Sequence, residues 1–412
     1  MVNWSWYATG GDWTYIENVI KLYENNGFDV IPFSQQHKEN IPTAYDNYFV
    51  ESYDFKELNK SRSIKNGIKV LRTSIVSKDA IQKLEKLLID NPDIKFAHLQ
   101  NIHHYITPAI IDVLKKKEIK ILWTLHDFKI ICPANSFLSN GKVCEKCITG
   151  NFYHCAINKC KRNSFLASVV AGYEAYYYHG KNIYNHVDYF LCPSQFLLNK
   201  FAQFGFSREK LVLAHSCYDV RLIDSFVEQN KYIQNSNDKF ILYIGRLEEL
   251  KGVHTLIDSV KMLNIPVKIV GSGNAEAKLK LQAKNNPNIE FLGLKSKLEV
   301  FALTQRSSFV ICPSICYENL PFSVIESSLF SKPTIGSDIA GIPELVLNKR
   351  TGLLFEANNA ADLCEKISYL WNHEKIAQQL GMEARTHVYN LVNFSAHWGI
   401  LNKTINKLQI GN

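Results

Sequence analysis

Short apolar runs alternate with amphipathic stretches along most of the chain. Residues 29–33, 96–99, 119–125, 188–192 and 211–214 have the length and the Val, Ile, Leu and Phe content of buried strands. Between them, Ile81, Leu84 and Leu88 share one helical face over 80–88, and 108–116 and 195–205 read as further helices. Strand and helix in strict alternation predict a parallel sheet covered by helices on both faces. The pattern pauses at 228–238 (EQNKYIQNSND), a polar, Asn-punctuated segment that reads as a linker. It then restarts with strands at 240–244, 267–270, 289–292, 309–312 and 333–336. Trp398, Leu401 and Ile405 supply one last apolar helical face. Two doubly wound domains in succession imply a cleft between them, faced by the carboxyl ends of both sets of strands.

The start departs from this rhythm. Thr9-Gly10-Gly11-Asp12, followed by a helix with Tyr15, Val19 and Leu22 on one face, has the form of the Gly-loop that opens a Rossmann-like domain. Only Met1, Val2 and Asn3 precede it as strand, so a stub is expected, along with a native product that begins a few residues upstream.

The chain's chemistry concentrates in 311–326, ICPSICYENLPFSVIE. A buried strand runs into a polar loop, and Pro321 suits the first position of a helix on which Phe322, Ile325 and Leu329 recur. Glu318 then sits at the helix mouth with Glu326 more than one turn down. Free amides and the positive end of the helix dipole point into the same crevice. Taken alone, two glutamates at this spacing also fit a solvated loop and an exposed helix face. Gly245-Arg246 and Lys251-Gly252 follow the first strand of the second domain, where cations would neutralise a departing diphosphate. An isolated pattern of that kind is also a basic surface turn. Thr124-Leu125-His126-Asp127 ends a first-domain strand and faces the cleft, and Asn101-Ile102-His103-His104 follows another. A histidine at such a position is equally a packed, hydrogen-bonded residue or a helix-start residue.

Together these stretches resemble the retaining glycosyltransferases of family 4. The resemblance spans nearly the whole chain and is most specific from Gly245 to Glu344. It implies the GT-B fold: α/β, with two Rossmann-like doubly wound parallel-sheet domains facing across a cleft and a C-terminal helix crossing back to the first domain. The domains expected are 1–228, on the acceptor side and completed by helix 395–412, and 238–394, on the donor side. By the same resemblance Glu318 and His126 flank the donor sugar as catalytic residues, and Glu326 holds the ribose hydroxyls. Arg246 and Lys251 clamp the diphosphate, while Gly10, Gly11, Gly245 and the amides of Asn319 and Leu320 complete the donor site. His104 and Asp127 are placed at the sugar or the acceptor. The family's commoner loop carries glycines after the first glutamate, where this chain has Asn319, Leu320 and Pro321, and Pro321 offers no donor.

Composition adds limits. With 412 residues, 46% of them hydrophobic and 21% charged, the chain exceeds one core and reads as globular. It has no apolar run long enough to span a bilayer, and its first residues lack the regions of a signal peptide. The net charge of +8 fits a solvated basic face, with an anionic membrane or a phosphorylated substrate as alternatives. No motif supports nucleic-acid binding. Ten cysteines, five of them between Cys132 and Cys160, point to a reducing, cytosolic setting. Cys144, Cys147, Cys155 and Cys160, in an insertion at 132–164 too polar to bury its own core, have spacing suited to a structural zinc ion. Free thiols, or disulfides if oxidised, are the alternative, and similar insertions occur in one branch of family 4. Residues 165–178 (FLASVVAGYEAYYY) are expected as a core helix with an aromatic edge in a cleft, an interfacial helix on an anionic bilayer being the other reading.

The function implied is transfer of a hexose or N-acetylhexosamine, with retention, from a nucleotide-diphosphate sugar of UDP or GDP type. A glycan or lipid-linked acceptor is expected, in cell-surface polysaccharide synthesis at the inner face of the membrane. No catalytic cofactor is expected, since no Asp-x-Asp occurs to hold a metal. A nucleotide-sugar 2-epimerase of the same fold and a non-catalytic sugar-nucleotide or polysaccharide binding subunit are the alternatives.

Overall fold

The apolar runs become the strands of two parallel sheets in a computed structural model that describes residues 1–8, 10–52, 75–103, 105–230 and 239–410. In the first sheet Phe96–Leu99, Lys120–Thr124, Tyr189–Cys192 and Leu211–Leu213 lie in sequence order. On the other side, Val2 bridges both Leu99 and Phe33, and Gln35 bridges Val50. The order therefore reverses beside Val2, next to the turn at Gly10. The stub is paired on both flanks: the Val2 amide donates to His98 O at 2.9 Å, and the Asn3 amide to Phe33 O at 3.1 Å. The expected strand at 29–33 shrinks to isolated bridges, because a stub offers its neighbour little ladder to extend.

The second sheet is ordered Gly352–Phe355, Thr334–Ser337, Phe309–Cys312, Ile241–Ile244, Val267–Val270, Ile289–Gly293, with the reversal beside Ile241–Ile244. Its central strands are buried on both faces. Phe309, Val310, Ile241 and Leu242 are fully covered, each contributing about 1.5–3 kcal/mol by its removal from water. The edge strand Gly352–Phe355 is not anticipated from sequence, since its short run contains no β-branched residue.

Three departures affect how the site is built. The helix Val220–Gln229 extends into the expected linker, whose 231–238 portion lies outside the described residues. It packs Val220 and Ile223 with Val324 and Ile325 of the second domain. The cysteine-bearing insertion is not a separate module, because Phe137, Cys147, Ile148, Phe152 and Cys155 join the main core of the first domain. The helix Phe165–Gly180 is a core helix on one side only. It buries Ser168, Ala171, Gly172, Ala175 and Tyr178 against the first domain's core, with Tyr177 and Tyr178 lining a pocket, and turns Phe165, Leu166, Val169, Tyr173 and Tyr176 outward. Gly172 lets it approach closely, since a Cβ there would lie 3.2 Å from Phe152 O. The last helix, Phe394–Ile410, returns to the first domain and packs Leu401 and Ile405 against Tyr15, Ile16 and Val19 of the helix Gly11–Asn25.

Candidate functional site

The strand Phe309–Cys312 delivers the chain into a loop that ends at the helix Phe322–Leu329. Pro321 is that helix's cap residue, with φ −69° and ψ 121°, rather than its first turn, so the helix starts one residue later than expected. Glu318 lies in the loop, half-buried, with its Oε1 2.5 Å from Lys251 Nζ and 2.7 Å from Ser314 Oγ. Burial alone would raise the Glu318 carboxyl, but the Lys251 ammonium and the Ser314 bond hold it below the ordinary carboxylate value. Burial would lower Lys251 in turn, and Glu318 holds its ammonium above the ordinary lysine value. Both groups stay ionised in a half-buried place, where each offsets the other's loss of water. Lys251 reaches this position because Gly252 adopts φ +69° directly against the loop, where a Cβ would lie 1.8 Å from Pro313 O.

Arg246 leaves the neighbouring strand end and pairs with Glu248 at 2.8 Å while remaining largely exposed. Its backbone is fixed by Tyr243, whose hydroxyl donates to Arg246 O at 3.0 Å, and the Gly245 amide donates to Val270 O at 3.1 Å. Glu326 lies on the helix, where it accepts the Tyr218 hydroxyl at 2.9 Å. Burial raises its carboxyl above the ordinary value, countered in part by that bond. Leu320 points its side chain into the core beside Val324 and Ile325.

The first domain meets this loop directly. Asn319 Nδ2 donates to Leu125 O at 3.0 Å, and Asn319 Oδ1 accepts Ser194 Oγ at 2.6 Å. The residue after Glu318 thus touches the residue before His126. His126 Nε2 lies 2.6 Å from Gln100 Oε1, its ring stands edge-on to Tyr15, and burial lowers its basicity, so it is neutral at pH 7. Asp127 accepts the Lys129 amide at 2.8 Å and Asn135 Nδ2 at 3.4 Å, which makes it part of its own turn. Gly10, at φ +132°, precedes the helix Gly11–Asn25, and Gly11 faces Phe322, whose Cδ2 would be 2.8 Å from an added Cβ. His104 and Thr9 lie outside the described residues. The structure therefore draws Glu318, Lys251, Asn319 and the His126 strand end together, with Gly11 against the mouth of the helix.

Several participants were not singled out from sequence. Tyr218, Ser194 and Gln100 act through bonds between distant segments, and Ser314 through a bond to Glu318 within the same loop. Glu344 accepts the Gln195 and Phe196 amides at 2.8 and 2.9 Å, so a second-domain carboxylate caps the first-domain helix Gln195–Phe204. A carboxylate suits a helix N-terminus, but nothing local in the sequence links residues so far apart.

The five clustered cysteines are free thiols, and Cys132, Cys144, Cys147, Cys155 and Cys160 line one pocket together with His154. Cys155 and Cys160 share a hydrogen bond. As the side chains stand, no three His, Cys, Asp or Glu groups among the described residues are gathered as a metal site.

Residues 224–387 match the family described as Glycosyl transferases group 1. The second domain is a group 1 glycosyl transferase domain. It contains the Glu318 loop, Arg246, Lys251 and Glu326. Beyond that domain, the chain is 25% identical to an uncharacterised glycosyltransferase of Methanocaldococcus jannaschii over 90% of this chain and 88% of that one. It is 31% identical to the N,N'-diacetylbacillosaminyl-diphospho-undecaprenol α-1,3-N-acetylgalactosaminyltransferase of Campylobacter jejuni, over 35% of this chain and 38% of that one. Among solved structures, Anabaena HepE in complex with UDP superposes with a TM-score of 0.65 at 14% identity, covering 98% of both chains. The fold is GT-B.

Proposed function

We propose that the chain is a retaining glycosyltransferase that moves a hexose or N-acetylhexosamine from a nucleotide-diphosphate sugar, of UDP or GDP type, to a glycan or lipid-linked acceptor. The observation that carries this reading is the half-buried Glu318–Lys251 pair, held beside the His126 strand end by the Asn319–Leu125 bond. A carboxylate kept ionised next to a fixed cation matches two charges that develop together, a positive sugar carbon and a negative diphosphate.

In the proposed reaction Arg246, Lys251 and the amides at the start of the helix Phe322–Leu329 receive the diphosphate. The bond from the sugar C1 to the phosphate oxygen breaks, and its electron pair leaves with that oxygen. Glu318 and the neutral His126 flank the resulting oxocarbenium-like carbon. The acceptor hydroxyl bonds to C1 on the same face, and its proton passes to the departing phosphate oxygen. Glu326, whose carboxyl already accepts one hydroxyl from Tyr218, is assigned the ribose hydroxyls. The lipid-linked substrate named for the Campylobacter relative and the UDP bound by HepE support this choice of acceptor and donor. We also assign Cys144, Cys147, Cys155 and Cys160 to a structural zinc ion, on their shared pocket and their thiol chemistry.

The test is incubation of pure protein with UDP- and GDP-sugars, with and without lipid-linked acceptors, following released nucleotide and product anomer. Nucleotide release that requires acceptor, with the donor's anomeric configuration kept, is expected. Release without acceptor indicates the epimerase, and binding without turnover of any donor indicates a binding subunit.

A further inference from the structure

A helix at a protein surface ordinarily buries its large apolar residues and shows its small or polar ones. The helix Phe165–Gly180 covers mostly small residues, Tyr178 apart, and shows five large apolar ones. Phe165, Leu166, Val169, Tyr173 and Tyr176 are 40–75% exposed. At 3.6 residues per turn these five fall within a sector of about 100°. The short helix Tyr153–Ile157 extends the patch, since Tyr153 and Ile157 are also exposed and the Tyr153 amide donates to Tyr176 Oη at 3.3 Å. Contiguous exposed apolar surface of this kind marks a place of contact.

The charges around it select the partner. Between residues 138 and 182 stand six basic side chains, Lys142, Lys146, Lys159, Lys161, Arg162 and Lys181, against two acidic ones, Glu145 and Glu174. Both carboxylates are already matched by lysines from outside the segment, Glu145 by Lys200 at 2.6 Å and Glu174 by Lys129 at 2.8 Å. Lys142, Lys146, Lys159 and Arg162 remain exposed. No carboxylate in the segment is left to oppose an anionic surface. Tyrosines with an apolar ring and a polar tip, beside aliphatic residues and a rim of long basic chains, suit the boundary between lipid headgroups and acyl chains.

We propose that this face docks the protein on an anionic lipid bilayer, with Phe165, Leu166, Val169 and Tyr173 entering the interface and Lys159 and Arg162 meeting the headgroups. The docking does not depend on the reaction assigned above. Among the described residues no helix is long and apolar enough to cross a membrane.

The experiment is flotation of the full chain with vesicles of phosphatidylcholine alone or mixed with phosphatidylglycerol. Wild type is expected to float with the mixed vesicles and at least about 10-fold less with the neutral ones. The triple variant Leu166→Gln, Val169→Gln, Tyr173→Ser should lose flotation by ~10-fold, and Lys159→Glu with Arg162→Glu should lose it on mixed vesicles. These side chains are exposed, and an unchanged melting temperature and nucleotide affinity will verify that the variants fold. Equal flotation of wild type on both vesicle types, or of wild type and the triple variant, overturns the proposal. So does a wild-type dimer that the triple variant converts to monomer, because a second copy then covers the face.

Discussion

Tyr317 donates its hydroxyl to Glu145 at 2.5 Å, and the same carboxylate accepts Lys200 Nζ at 2.6 Å. The Tyr317 ring packs against Phe137 and stands edge-on to Phe196 and Phe128, all of the first domain. Tyr317 precedes Glu318, and Asn319, which follows it, is bonded to Leu125. Glu318 is therefore bracketed by two residues that the opposite domain holds. Its position depends on the two domains meeting, and Glu344 at the helix Gln195–Phe204 reinforces that meeting.

Replacing Tyr317 with Phe keeps the ring and removes one hydrogen bond to a charged group, a contact worth about 1.5–3 kcal/mol. Because Tyr317 acts on Glu318 rather than on the nucleotide, turnover should fall ~10-fold while nucleotide affinity stays within about two-fold. Steady-state kinetics and a nucleotide titration read the two separately. Equal losses in both would assign Tyr317 to binding instead.

The two glutamates should part in the same way. Glu326→Ala removes hydrogen bonds assigned alike to ground and transition state, so it should weaken nucleotide binding ~10-fold and change turnover less. Glu318→Gln should lower turnover by ~100-fold or more with a smaller change in donor affinity. Wild-type turnover in the Glu318 variant would remove the central claim.

Sequence carried the frame of this site because local patterns encode it. The runs at 96–99, 267–270 and 309–312 are strands in the structure at the expected bounds, and the loop between strand and helix puts Glu318 ahead of Glu326 as read. What stayed illegible depends on contacts between remote segments. Nothing near Tyr317 indicates Glu145, and nothing near Glu344 indicates a helix almost 150 residues earlier. The outward face of Phe165–Gly180 was misread because its composition is that of a core helix. Only its packing through Gly172 and Ala175 decides which side is covered. The stub at Val2 was legible in length but not in pairing, since both its neighbours come from later in the chain.

Acid should act through the Glu318–Lys251 pair. The folded-state carboxyl is held below its unfolded value, so its contribution is fully present above the unfolded carboxyl value of about 4.3 and is lost as pH falls through the folded one. Glu318→Gln imitates the protonated state at every pH and leaves the half-buried Lys251 without a counter-charge, a loss of about 1–3 kcal/mol. Urea unfolding of wild type and variant should therefore differ at pH 7, and the difference should shrink as pH drops below about 4. A gap that stays constant down to pH 3 would show that the pair does not titrate as described.

The last expectation concerns the thiols. Cys144 and Cys147 lie beyond a two-stranded hairpin and Cys155 and Cys160 around a short helix, yet all four line one pocket with Cys132. A site closed by four thiolates would be structural. Protein prepared reduced and without chelator should therefore carry about one zinc per chain by elemental analysis. Removing the metal should lower the melting temperature, because Cys147, Phe152 and Cys155 belong to the first domain's core. Nucleotide affinity should hold, since Arg246, Lys251 and Glu326 lie in the other domain. Turnover should drop, because Glu145 adjoins Cys144 and grips Tyr317. Metal-free protein with an unchanged melting curve after chelation would end the zinc assignment and leave the cluster as packed thiols.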